Sequence, residues 1–115
     1  MIEHRLATYG TLSPGQANHH QMDGMTGTWR QGTVRGRCFM VGWGAAMGYP
    51  GLVADPEGEP VPVMLFESAD LPQHWDRLDA FEGEGYVRSV IAVETADGLV
   101  EAQIYLLADT QPGNR

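Results

Sequence analysis

Glycine and proline cut this chain into short apolar runs, and that punctuation constrains its fold more than any other feature. There are 15 glycines and 7 prolines in 115 residues, a density that favours many short elements joined by turns over long helices. Against this background one stretch stands out, "SADLPQHWDRLDAFEG", Ser68 to Gly83. Leu71, Trp75, Leu78 and Phe81 recur there at helical spacings, Ser68 or Asp70 is placed to cap the start, and Gly83 stands where a helix would stop. The pattern predicts a helix whose apolar face packs on a sheet.

Most other segments read as strands. Arg5 to Tyr9 is a short apolar run that ends at Gly10, and "GTWRQGTVRGRCFMVGW" from Gly27 suggests one long bent strand or two short ones joined by a bulge. Leu52 to Ala54, the acidic turn Asp55 to Pro60 and Val61 to Glu67 have the grammar of a hairpin. "YVRSVIAVET" and "VEAQIYLLA" flank Ala96 to Gly98 as a closing antiparallel hairpin. A weak second helix is expected over Pro14 to Met22, capped by Ser13 with Pro14 in its first turn. Because helices and strands do not alternate regularly, an α+β domain with a mostly antiparallel, barrel-like sheet is favoured over a doubly wound one.

The length suits one domain, taken here as residues 1–108 with 109–115 as a loose tail, large enough to bury roughly two-thirds of its unfolded surface. The formal net charge is -8 and the chain has no lysine. Such a surface repels phosphate backbones, so nucleic acid is not an expected partner. The alternating Arg35 and Arg37 read as a solvated strand face. No stretch approaches the ~18 apolar residues of a membrane span, and the N-terminal residues lack a secretory pattern, so a soluble cytoplasmic protein without membrane association is expected. Cys38 stands alone in an apolar strand and reads as a small buried side chain.

Several chemistries lack their residue pattern. His19 and His20 are adjacent, so on a helix they would point about 100° apart, and His4 and His74 have no ligand-like spacing; no metal is expected. "GWGAAMG" misses the dinucleotide fingerprint, and Ser13, Ser68 and Ser89 lack a nucleophile-elbow context. Two places remain. "YGTL", Tyr9 to Leu12, follows the first strand directly; its backbone amides form either an ordinary turn or an anion-holding nest. In "LDAFEGEGYVRSV", Glu82 falls at the end of the firm helix beside Phe81 and near Tyr86. The unfavourable end of the helix dipole and these apolar neighbours would raise its pKa, which suits a general acid or base; the alternative is a solvated turn residue.

In this order, "YGTL" after the first strand, "GYPGLV" in mid-chain, "LDAFEG" closing a helix, then "YVR" and "IYLL" resemble the gamma-glutamylcyclotransferase-like, or AIG2-like, family. The resemblance runs from about Leu6 to Leu107. It implies a small mixed, mostly antiparallel β-barrel flanked by two or so helices. It also implies cofactor-free conversion of a gamma-glutamyl amide to 5-oxoproline plus an amine or amino acid. By the same resemblance Glu82 is the acid/base residue and Glu84 faces solvent. Tyr9, Gly10, Thr11 and Leu12 hold the glutamyl moiety, Tyr86 lines the pocket, and Tyr49 with Pro50 shapes the opposite wall. The expected partner is a small gamma-glutamyl substrate, with a gamma-glutamylamine or a carrier-linked gamma-glutamyl group as variants. The alternative is a non-catalytic domain of the same fold that binds a small carboxylate or another protein.

Overall fold

A computed structural model describes residues 2–10, 12–16, 19–41, 49–83 and 85–107, with residues 39–50 in backbone only where they are described. Six strands and one α-helix are present among them: β1 (Arg5–Thr8), β2 (Thr28–Val41), β3 (Tyr49–Ala54), β4 (Glu59–Glu67), α1 (Trp75–Glu82), β5 (Tyr86–Thr95) and β6 (Gly98–Leu107). The strands are ordered β3-β2-β4-β1-β6-β5, and a further pairing of β2 with β5 closes five of them into a barrel. All pairings are antiparallel except β1 with β6, which run parallel through Leu6↔Gln103 and Ala7↔Ile104. This is the α+β mixed barrel that the sequence implies.

β2 is one long strand rather than two. It pairs with β4 from Thr28 to Gly36 and with β3 from Gly36 to Val41, so the change of partner falls at Gly36. Closure against β5 rests on the pair Thr33↔Glu94. There the Val93 side chain lies so close that a Cβ on Gly32 would come 2.6 Å from its Cγ1, which explains a glycine in the middle of a strand.

Alternation along the strands divides the apolar residues into two layers. Ala7, Val34, Leu52, Val63, Leu65, Val93, Ala102 and Ile104 fill the barrel. Their neighbours Leu6, Phe66 and Tyr105 point outward and are covered by Leu12, Met22, Leu71, Trp75 and Leu78. The helix and the loop after β1 therefore form a lid on the outside of the barrel. Each fully buried leucine of either layer contributes about 1.5–3 kcal/mol.

Several expectations need correction. The segments around Leu52–Ala54 and Val61–Glu67 do not pair as a hairpin: β3 and β4 lie on opposite sides of β2. The segment Pro14 to Met22 is not a helix: turns occupy Leu12 to Gln16, a 3-10 turn spans His19–Met22, and residues 17–18 lie outside the described residues. Gly15 has a φ of 82°, which breaks helical geometry. The firm helix starts late, with a 3-10 turn at Leu71–Gln73 before α1. Asp70 makes no side-chain cap and instead accepts the amide of Thr26 at 2.9 Å, while Ser68 Oγ accepts the amide of Asp70 at 3.0 Å. Phe81 belongs to neither buried layer; it is 37% exposed. Cys38 is exposed as well. It continues the inner face of Val34 and Gly36 past the β4-paired stretch, where that face opens. The "GWGAAMG" segment and the tail 109–115 lie outside the described residues. Among the described residues no helix is long and apolar enough to cross a membrane.

Candidate active site at the barrel mouth

β1 and β6 run parallel and end side by side, and β5 begins beside the end of β6 through Tyr86↔Leu107. Of the residues picked out from the sequence, Tyr9, Glu82 and Tyr86 come near one another at this end. Tyr9, just past β1, points its ring into the barrel and packs against the inner layer. Its hydroxyl donates to the main-chain oxygen of Tyr105 at 2.6 Å and accepts the Leu52 amide at 3.1 Å. One phenol thus ties β1 to β6 and β3. Burial pushes its pKa well up, and the nearby Tyr86, Glu82 and Cys38 add to the rise, although the Leu52 amide opposes it.

After Tyr9 the chain turns, with the Ser13 amide donating to Gly10 oxygen at 3.1 Å. Ser13 Oγ donates to Thr8 Oγ1 at 2.8 Å, and Thr8 donates to Met64 oxygen. Leu12 is buried in the outer layer, so its side chain anchors the loop instead of lining the mouth. His19, half-buried, places Nδ1 2.9 Å from Leu12 oxygen and sets its ring against Trp29, a structural role in holding the same loop. Thr11 lies outside the described residues.

Glu82 is the last residue of α1, followed by Gly83 at a φ of 79°, a conformation that ends a helix at little cost only for glycine. The carboxyl is half-buried, and burial pushes its pKa up to about 7. The sequence suggested the helix dipole and the apolar neighbours Phe81 and Tyr86 as causes, and burial is the one that pushes the carboxyl up. Among the described residues no ion pair or hydrogen bond offsets that cost. Its charge reaches the Tyr9 and Tyr105 phenols and raises both. Tyr86 packs against the outer layer next to this group. Tyr49 and Pro50 open β3 opposite Val41 and Met40, and Gly51 passes so close to Leu107 that an added Cβ would collide with that side chain. β3 therefore arches over the end of β6. Glu84 lies outside the described residues.

A trio that the sequence did not single out lies one turn away. Asp79 accepts from Arg88 Nε at 2.9 Å, Arg88 Nη2 at 3.2 Å and the Tyr105 hydroxyl at 2.7 Å. Burial by itself would raise the Asp79 pKa, but the Arg88 and Tyr105 hydrogen bonds outweigh it and hold the carboxyl below its ordinary range. The three residues are 9 and 26 positions apart in sequence, so no local spacing announces them. A separate trough of about 830 Å³ lies on the outer face of β2 and β4. It shares Tyr9 and Gly10 with the mouth but does not include Glu82; its carboxylate, Glu94, is paired with Arg35 at 3.4 Å. No cluster of three or more His, Cys, Asp or Glu side chains suited to a metal occurs among the described residues.

A closed mixed barrel of five strands with one helix packed on its outside defines a recognisable class. The chain belongs to the gamma-glutamyl cyclotransferase, AIG2-like family, whose sequence pattern matches residues 6–115. Among solved structures it is similar to an AIG2-like protein from Mus musculus, with 24% identity, a TM-score of 0.72 and coverage of 95% of this chain and 80% of that one. It is also similar to YkqA from Bacillus subtilis, with 30% identity and a TM-score of 0.69 over 90% of this chain, which spans 35% of YkqA. The same fold occurs within an allophanate hydrolase from Kluyveromyces lactis, at 18% identity and a TM-score of 0.69, covering 95% of this chain and 18% of the hydrolase. No protein of curated function matches the sequence.

Proposed function

We propose that this chain is a gamma-glutamyl cyclotransferase that releases an amine or amino acid from a gamma-glutamyl amide as 5-oxoproline forms. The observation that carries the reading is the Glu82 carboxyl, held half-buried at the barrel mouth without a described counter-charge and pushed up to a pKa of about 7. A group balanced near neutral pH can take and return a proton in one cycle. In the proposed reaction Glu82 removes a proton from the substrate's alpha-ammonium group. The freed amine attacks the gamma-carbonyl carbon, closing the ring. The amide C–N bond breaks as Glu82 passes its proton to the leaving nitrogen. The same carboxylate then moves the second proton of the attacking nitrogen to the released amine, which departs as its ammonium. Atoms balance without water, metal or nucleotide.

Nucleophile and carbonyl belong to one molecule, so the site's main task is to fold the substrate into its ring-closing conformer, and effective molarity supplies much of the rate. The backbone of Tyr9, Gly10, Thr11 and Leu12 is assigned to the glutamyl carboxylate or the developing oxyanion. Tyr86, Tyr49 and Pro50 are assigned to the walls. Within this reaction, an uncharged or cationic leaving group fits best. Arg5, Arg30, Arg35, Arg37 and Arg88 each face a carboxylate, and Arg77 is engaged by Gln21 and His74. Among these arginines only Arg77 lacks a carboxylate partner, so a second substrate carboxylate meets few uncommitted cations, which favours gamma-glutamylamines over gamma-glutamyl amino acids.

The test is incubation of the purified protein with a panel of gamma-glutamyl dipeptides and gamma-glutamylamines, with 5-oxoproline read by mass spectrometry. Product is expected, with faster release from the amines. A folded protein that makes none from any member would overturn the reading and leave a binding role for the fold.

A further inference from the structure

α1 has only eight residues, too few to be stable without tertiary contacts. Its buried apolar anchors, Trp75 and Leu78, lie in the first half, whereas Ala80 and Phe81 in the last turn are exposed. The turn that carries Glu82 therefore lacks an apolar anchor beyond Leu78. What holds it is Asp79, which accepts two hydrogen bonds from Arg88 of β5 and one from the Tyr105 hydroxyl of β6. Arg88 is fixed in turn, with its guanidinium 4.4 Å above the Trp75 ring and Nη1 3.4 Å from Gln103 Oε1.

Tyr105 works in two directions. Its side chain reaches the helix on the outer face, while its main-chain oxygen accepts the Tyr9 hydroxyl from the barrel interior. One strand residue thus joins the helix end that presents Glu82 to the residue that opens the Tyr9–Leu12 turn. We propose that Asp79 and Tyr105 are positioning residues, whose contact sets the last turn of α1 against β6 and so fixes Glu82 relative to the Tyr9–Leu12 turn. The inference rests on Glu82 being the acid/base group. It is distinct from that reading, because it concerns where the carboxyl is held. The other titratable groups at this end are Tyr9 just past β1, Cys38 of β2 and Tyr86 of β5, with Arg88 behind Asp79.

Position and burial are coupled here, so the Glu82 titration reports directly on the clamp. The experiment is an NMR titration of the intact protein carrying carboxyl-13C glutamate, with the Glu82 signal assigned by its loss in Glu82→Gln. It is run on wild type, Tyr105→Phe and Asp79→Asn. The wild-type midpoint is expected near 7. In both variants it should fall by about 1 unit or more as water reaches the loosened carboxylate, and turnover should drop roughly 10-fold with KM little changed. Tyr105→Phe removes a single oxygen and carries the test by itself if Asp79→Asn fails to fold. A midpoint in folded Tyr105→Phe within about 0.3 units of wild type would overturn the proposal. A falling midpoint in a protein that makes no 5-oxoproline would uphold the positioning and reject the reaction instead.

Discussion

Asp79 and Glu82 stand one turn apart on α1, and the barrel treats their carboxyl groups in opposite ways. Asp79 is met by a guanidinium and a phenol, which outweigh its burial and keep it ionised. Glu82 is pushed toward the mouth with burial and no described counter-charge, so its acid form gains ground. Residue type is nearly the same in the two cases. Environment separates a group that holds structure from one able to move protons, and the same contrast marks paired carboxylates in enzymes generally.

The comparison can be broken or sharpened in several ways. The largest effect is expected from Glu82→Gln, which keeps the shape but cannot shuttle a proton; it should cut 5-oxoproline formation by about 10²–10⁴-fold while leaving the circular dichroism spectrum unchanged. The same variant also tests the cost of the unpaired carboxylate. The folded-state pKa of Glu82 lies above its ordinary value of 4.5, so the folded state binds the proton more tightly. Stability then falls as pH rises from about 4.5 to about 7. Glu82→Gln should accordingly be more stable than wild type at pH 8, by about 2 kcal/mol in urea titrations, and show no advantage at pH 4.

At Asp79 the sign reverses. Asp79→Ala should destabilise by about 1–2 kcal/mol at pH 7, a figure kept small because the Asp79 side chain is 40% exposed. A depressed carboxylate pKa adds stability above the unfolded value and loses it as pH falls through the folded one. The penalty should therefore shrink in acid. Smallest is Phe81→Ser, at the exposed position between the two carboxylates, which should shift stability by no more than about 0.5 kcal/mol.

Local patterns made the strands and the helix stop legible. The turn "ADG" between two alternating runs announces the β5–β6 hairpin, and Gly83 marks the end of α1. Glu82 could be singled out for the same reason: its proposed role depends on a helix end that the sequence declares. The contacts that set its surroundings are not local. Asp79, Arg88 and Tyr105 meet only after β5 and β6 pair in register, and the barrel closes through Thr33 and Glu94, residues with no sequence signal for one another. The loop after β1 misled for a related reason. Ser13 and Pro14 have helix-start chemistry, but Leu12 and Met22 are drawn into the outer layer and Gly15 and Gly24 take positive φ, so tertiary packing overrides the local preference. Cys38 was misplaced because a strand that outruns its barrel carries the same apolar pattern outside as within.

The most direct measurement of the central claim is the pH dependence of kcat/KM for 5-oxoproline release from a gamma-glutamylamine. A base titrating as Glu82 does predicts a limb that rises with pH and is centred near 7. A flat profile from pH 5 to pH 9, on the order of two units either side of that midpoint, would contradict the account, since the group moving the proton would then not be the buried carboxyl at the barrel mouth.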